Sequence, residues 1–190
     1  MGMPHATLRW TPEMVRALPD DGNRYELIDG MLLVTPSPIL LHQRAATLLW
    51  QALEQYVSRY GLGEVLTSPA DLELEPETIV QPDVFVTPLV DGELPRRWTD
   101  VRGLLLAVEI LSPGSRRHDR VTKRAFYARV EIPEYWIVDL EARTVERWRP
   151  DDEQPEHCTD RLTWQAAGAG EPLVLDLGAF FARVHGARRS

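Results

Sequence analysis

The sequence predicts an α/β or α+β domain, a sheet with helices packed on it, and three observations predict it. Leu41, Ala45, Leu48, Leu49, Ala52, Leu53 and Tyr56 recur at helical spacing through residues 40–60. Short apolar or β-branched runs, among them residues 79–86, 104–111 and 135–140, are too brief for anything but strands. Helix and strand patterns also alternate along the chain instead of segregating. With 190 residues, 44% hydrophobic and 26% charged, the chain suffices for one well-buried domain. The expected division is a single domain over 1–190, its core at about 24–149 and a C-terminal extension at about 150–190.

The elements follow in order. Thr11 is a capping residue and Pro12 suits the first helical position, so 11–18 reads as a short helix. Strands at 25–28 and 31–35 flank Asp29-Gly30, a strong two-residue hairpin signal. Pro36-Ser37-Pro38 stops the sheet, and the long helix of 40–60 ends at Gly61. Strands are expected at 64–68, 71–75 and 79–86, the last at a sheet edge or bulged, because Pro82 cannot donate to a ladder. Residues 89–102 read as a polar loop. Residues 104–111 are apolar except for Glu109, as in a central strand covered on both faces. After the break at Ser112-Pro113-Gly114-Ser115, residues 117–130 read as a helix. Strands at 135–140 and 144–149, a polar loop at 150–160, short strands at 162–167 and 173–175 and a helix at 177–184 complete the chain. Trp136 reads as strand core.

Composition limits the function classes. No apolar run approaches the roughly 20 residues of a membrane span, and Met1–Trp10 lacks the basic and apolar regions of a secretory leader. A single cysteine, Cys158, excludes an internal disulfide framework and fits a reducing, cytoplasmic setting; it reads as a loop cysteine. The net charge of −8 argues against broad, sequence-blind affinity for nucleic acid. Charge is unevenly spread, however. Arg116, Arg117, Arg120, Lys123, Arg124 and Arg129 crowd together, relieved only by Asp119.

Of the 21 basic residues, all are arginine except Lys123. An amine is a compact point charge with three donors, where arginine is a planar fork. Its neighbourhood gives that exception meaning. Glu109 lies inside an apolar strand, where an ionised carboxylate costs several kcal/mol to bury without a partner. Asp83 repeats the pattern after Pro82, between apolar runs. Two lone acids in two apolar strands and a unique lysine can hold a divalent metal and a phosphate together.

The segments Tyr25-Glu26-Leu27-Ile28-Asp29-Gly30, Gln81-Pro82-Asp83-Val84, Val108-Glu109-Ile110-Leu111-Ser112-Pro113, Lys123 with Tyr127, and Glu134-Tyr135-Trp136-Ile137-Val138-Asp139, with His42, Leu175-Asp176-Leu177 and Phe180-Phe181, carry a resemblance. In this order the chain resembles the Uma-two family of the PD-(D/E)XK nuclease superfamily from about 25 to 181. The resemblance implies an α/β, restriction endonuclease-like mixed sheet flanked by helices with an N-terminal hairpin. It also implies a Mg²⁺-dependent DNA endonuclease, with Mn²⁺ a possible substitute, that acts as a homodimer. Asp83, Glu109 and Lys123 are then the catalytic candidates, and Asp83, Glu109 and the Ile110 carbonyl the metal ligands. Leu111 stands where the superfamily has its usual lysine, so Lys123 is expected to replace it from the following helix.

Glu26, His42 and Tyr127 are secondary candidates, and Arg116 and Arg120 are expected on flanking DNA phosphates. On an ideal helix Lys123, Arg116, Arg120 and Tyr127 share a face opposite Val121, Ala125 and Ala128. That places Lys123 at the rim of the sheet unless the helix packs by another face. Two alternatives stand beside cleavage of DNA: a catalytically silent nucleic-acid or protein binding module on the same fold, and a metal-dependent phosphodiesterase acting on another substrate.

Overall fold

In the computed structural model, which describes residues 9–186, six strands form a mixed sheet in the order β3-β4-β5-β6-β7-β8. These are β3 (Gly63–Thr67), β4 (Val84–Pro88), β5 (Leu106–Ile110), β6 (Tyr135–Asp139), β7 (Thr144–Trp148) and β8 (Glu156–Cys158). Only β5 and β6 run parallel; the other neighbours are antiparallel. Before the sheet come α1 (Pro12–Arg16), the hairpin of β1 (Arg24–Ile28) and β2 (Met31–Thr35), and α2 (Leu40–Tyr60). The hairpin turn holds both Asp29 and Gly30 at positive φ, as a tight two-residue connection requires.

Two cores sandwich the sheet. On one face α2 packs Ala45, Leu49 and Leu53 against Val84, Val86, Leu106, Val108 and Trp136. The C-terminal hairpin of β9 (Arg161–Trp164) and β10 (Leu173–Asp176), with α4 (Leu177–Val184), closes that layer, burying Leu162, Trp164, Leu177, Phe181 and Val184. Residues 173–181 are thus largely committed to the core, with Val174 their exposed large apolar side chain. On the other face Phe126, Tyr127 and Ile132 meet Phe85, Ala107, Tyr135 and Ile137, joined by Ile28 and Leu33 of the hairpin.

Parallel pairing of β5 with β6 determines where the site can form. Two parallel neighbours cannot be joined by a tight turn, so residues 111–134 must cross a face of the sheet. They do so as a π-helical stretch, His118–Lys123, running into α3 (Arg124–Arg129).

Several expectations change. Residues 71–75 form no strand; Leu72 makes a single bridge to Val80. The strand expected over 79–86 begins only at Val84 and lies inside the sheet between β3 and β5, so Pro82 stands outside the ladder and its missing donor costs nothing. The loop expected at 150–160 contains β8. Cys158 is therefore a buried strand residue opposite Val145, with burial raising its thiol pKa.

Candidate active site

Glu109 lies on β5 between Ala107 and Leu111, both in the α3-side core, and period-two alternation points its carboxylate to that same face. The β4–β5 register pairs Val84 with Val108; carried one step further, it sets Asp83 opposite Glu109 on the same face. Asp83 and Glu109 are both 2% exposed. Each has its own cation.

Asp83 accepts from Arg24 Nη1 on Oδ1 at 2.5 Å and from the Ile110 backbone N–H on Oδ2 at 2.8 Å, and His42 Nε2 lies 3.0 Å from that same Oδ2. Burial pushes its pKa up, but the His42 hydrogen bond and the Arg24 charge outweigh that and hold the carboxyl at about 2. Asp83 is thus an ionised acceptor across the ordinary pH range. Ile110, whose carbonyl is a candidate ligand, meets Asp83 through its N–H.

Lys123 does not sit at the rim. It is 2% exposed, whereas Val121 is 59% exposed, so the segment packs by the Lys123, Phe126 and Tyr127 face. Its Nζ donates to Glu109 Oε1 at 2.9 Å, lies 2.7 Å from Glu26 Oε2 and 3.6 Å from Asp119 Oδ1. Burial depresses the amine's pKa, but the charges of Glu109, Glu26 and Asp119 more than restore it, so the ammonium stays charged. Burial drives Glu109 well above the usual carboxylate range; Lys123 opposes this, while Asp119, Asp83 and Glu26 add to it.

Of the secondary candidates, Glu26 is buried and also accepts from the Gln81 N–H at 2.7 Å. Tyr127 points its hydroxyl at Glu109 Oε1 over a long 3.4 Å, and burial keeps the phenol protonated. Arg116 pairs with Asp139 and Glu141, and Arg120 with Glu146 and Asp139. Both arginines are thus engaged, in the first half of the crossover segment, by acids of the β6–β7 region.

Two residues escape a reading by apolar context. Arg24 opens β1 in a polar stretch, and nothing local marks it as the partner of an acid 59 positions on. Asp119 did leave a signal. It is the one acid in the basic run and stands four residues before Lys123, the spacing at which helical side chains meet.

Four buried carboxylates, Glu26, Asp83, Glu109 and Asp119, thus face two permanent cations, Arg24 and Lys123. With all four ionised, two negative charges would be unmatched; burial answers part of this by raising Glu109 and Asp119 toward their protonated forms, and a divalent cation would answer the same excess. Among the described residues no three His, Cys, Asp or Glu side chains converge on a metal position. Mg²⁺, however, commonly takes one or two carboxylates and fills its octahedron with water and substrate phosphate. Asp83 and His42 line a cavity of about 210 Å³ that opens between α2 and β3, and Arg24 and His42 line a second of about 410 Å³ toward Leu111–Gly114. The centre is approached from the Asp83 side, with Lys123 behind.

Comparison with known proteins places the chain in a family. The Uma2 family model, described as "Putative restriction endonuclease", matches residues 12–175. The chain belongs to this family. No curated protein matches significantly. Among solved structures, a "putative nuclease belonging to DUF820" from Anabaena variabilis ATCC 29413 superposes with a TM-score of 0.71 at 20% identity, covering 92% of this chain and 99% of that one. The Uma2 chain thus shares its fold with that protein, and no helix among its described residues is long and apolar enough to cross a membrane.

Proposed function

We propose that this Uma2 protein is a metal-dependent DNA endonuclease that hydrolyses phosphodiester bonds at a site made by Asp83, Glu109 and Lys123. One observation carries the reading: the chain's single lysine is buried against Glu109, on the sheet face it shares with Asp83. Asp83 and Glu109 would hold Mg²⁺ or Mn²⁺, with the Ile110 carbonyl beside them. When bound, the ion polarises the phosphoryl group and acidifies a water.

The chain's own residues do the rest. Arg24 and His42 keep Asp83 ionised and oriented. Lys123 offers fixed positive charge where the phosphate becomes more negative, and a fixed donor in a water-poor site is worth far more than one in solvent. Tyr127 limits the rotation of Glu109. Arg116 and Arg120, half-exposed, are the proposed phosphate contacts, reached by exchanging their present carboxylates for the DNA backbone. Because the whole molecule is acidic, that binding is local and strongly salt-dependent. A homodimer would bring two such sites to two strands.

Incubation with plasmid, linear DNA, RNA and a chromogenic phosphodiester, each with and without Mg²⁺ or Mn²⁺, tests the reading. Divalent-dependent cutting of DNA, lost in Asp83→Asn and in Glu109→Gln, is expected. DNA binding without cutting would instead identify a silent binding module, and turnover of the chromogenic ester alone a phosphodiesterase for another substrate. Full activity in either variant would remove the assignment.

A further inference from the structure

Asp119 is the least satisfied charged group of the centre. It is 1% exposed, neither of its carboxylate oxygens has a partner at full hydrogen-bond geometry, and the nearby Ser115 hydroxyl only partly offsets its burial. A buried acceptor left this way is expensive, so its retention calls for a cause. The side chain is not there by slack packing. Its backbone N–H donates to the Ser115 carbonyl at 2.9 Å, and its own carbonyl accepts from the Tyr135 hydroxyl at 3.0 Å. The residue also lies at the start of the π-helical stretch, a winding that is a frequent mark of functional segments, and shares its buried face with Lys123.

An ammonium carries three N–H donors. Around Lys123 stand three carboxylates: Glu26 at 2.7 Å, Glu109 at 2.9 Å and Asp119 at 3.6 Å. The first two are in contact and the third is just beyond a hydrogen bond. Glu109 holds the amine through Oε1 alone. A metal ion on that carboxylate would draw off the negative charge that makes Oε1 a strong acceptor, and the weakened contact leaves the amine in want of another acceptor. Asp119, whose Oδ1 stands 3.6 Å from the amine, is that acceptor.

We propose that Asp119 is the positioning residue for Lys123, taking its N–H as Glu109 is drawn to metal and phosphate. This rests on the nuclease reading above, yet it assigns Asp119 no contact with substrate. Its action is through Lys123 alone.

The lone lysine makes the test direct. Protein labelled with [¹⁵N]lysine contains a single labelled side-chain nitrogen, and a buried, hydrogen-bonded ammonium exchanges slowly enough to be followed by NMR. The full chain and its Asp119→Ala and Asp119→Asn variants are compared for that signal in Mg²⁺, for thermal unfolding, and for kcat and KM on plasmid DNA. Asp119→Ala is expected to fold with an undiminished melting temperature, to lose the slow Lys123 signal and to drop kcat by about 10- to 100-fold with KM unchanged. Asp119→Asn, which keeps an acceptor, is expected to fall between it and the wild type, and it decides the matter alone if the alanine variant does not fold. A wild-type Lys123 signal in the variants overturns the proposal whatever happens to kcat, as does a change confined to KM. If the wild type cuts nothing, the NMR comparison still decides Asp119, and only the nuclease reading falls.

Discussion

Lys123 is held by three carboxylates, and the outcome of its substitution depends on their geometry. Lys123→Arg keeps the charge but forces a planar fork, with a wider head, into a fully packed position that suits three radiating donors. Overpacking of this kind costs about 1–3 kcal/mol, so the variant should fold with a lowered urea midpoint and lose about 100-fold or more in cleavage rate. Lys123→Ala should be worse for stability, because it strands three buried acids, and breaking a buried ion pair costs about 3–5 kcal/mol. A wild-type midpoint and rate in Lys123→Arg would show that the amine is interchangeable with any cation. At this scale the sequence was legible wherever a polar residue interrupted an apolar strand, as Glu109 does. It was illegible where the partner came from a polar stretch. Arg24 could not be found because its role depends on the hairpin folding back over the start of β4, a relation with no local trace.

Helical periodicity misled at one element for an identifiable reason. An ideal α-helix over 117–130 puts Val121, Ala125 and Ala128 on a shared apolar stripe, yet Val121 is exposed and Phe126 and Tyr127 are buried. The wheel itself holds across the π-helical stretch and α3: Asp119, Lys123, Phe126 and Tyr127 are buried along one face, and Val121 and Ala125 are exposed on the opposite one. Apolar spacing alone pointed to the wrong face, because the packed face carries Lys123 and Asp119, whose charges are met by one another and by Glu26 and Glu109. Substitution separates the two descriptions. Val121→Asp should change unfolding free energy by no more than about 0.5 kcal/mol, as at other solvent-facing positions, whereas Phe126→Ala should cost about 3–5 kcal/mol. Equal losses from the two in urea titrations would mean that the Val121 face is packed after all. The strands were easier. The hairpin, the long helix and β5 to β7 agree with expectation within a residue or two, because each has a period, a punctuating residue and a length that point the same way. Residues 71–75 alternated convincingly but had no free strand to pair with, and pairing is not a local property.

For the whole molecule, the excess of buried acid over cation predicts how stability responds to pH and to metal. Asp83 is held at about 2, below its ordinary 3.8, so its contribution is complete above 3.8 and is lost as pH falls toward 2. Glu109 and Asp119 are displaced the other way, above 4.5 and 3.8, chiefly by burial. Between the ordinary and the raised value the folded chain binds more protons than the unfolded one, so stability falls as pH rises through that window. Lys123 adds nothing here, since its pKa is raised and its contribution is lost only above its ordinary 10.5. Without divalent cations, the melting temperature should therefore peak near about pH 5 and decline toward pH 8. The net charge of −8 bends the curve in the same direction, so the slope alone does not isolate the site. Glu109→Gln does: it removes one of the two raised acids and should flatten the decline while leaving the fold intact. At pH 8, Mg²⁺ should raise the melting temperature of the wild type by binding only the folded state. Asp83→Asn and Glu109→Gln should each abolish that rise. A Mg²⁺-induced rise that survives in both variants would place the ion elsewhere in the molecule, and an unchanged pH slope in Glu109→Gln would mean that Glu109 is not the strained acid of the centre.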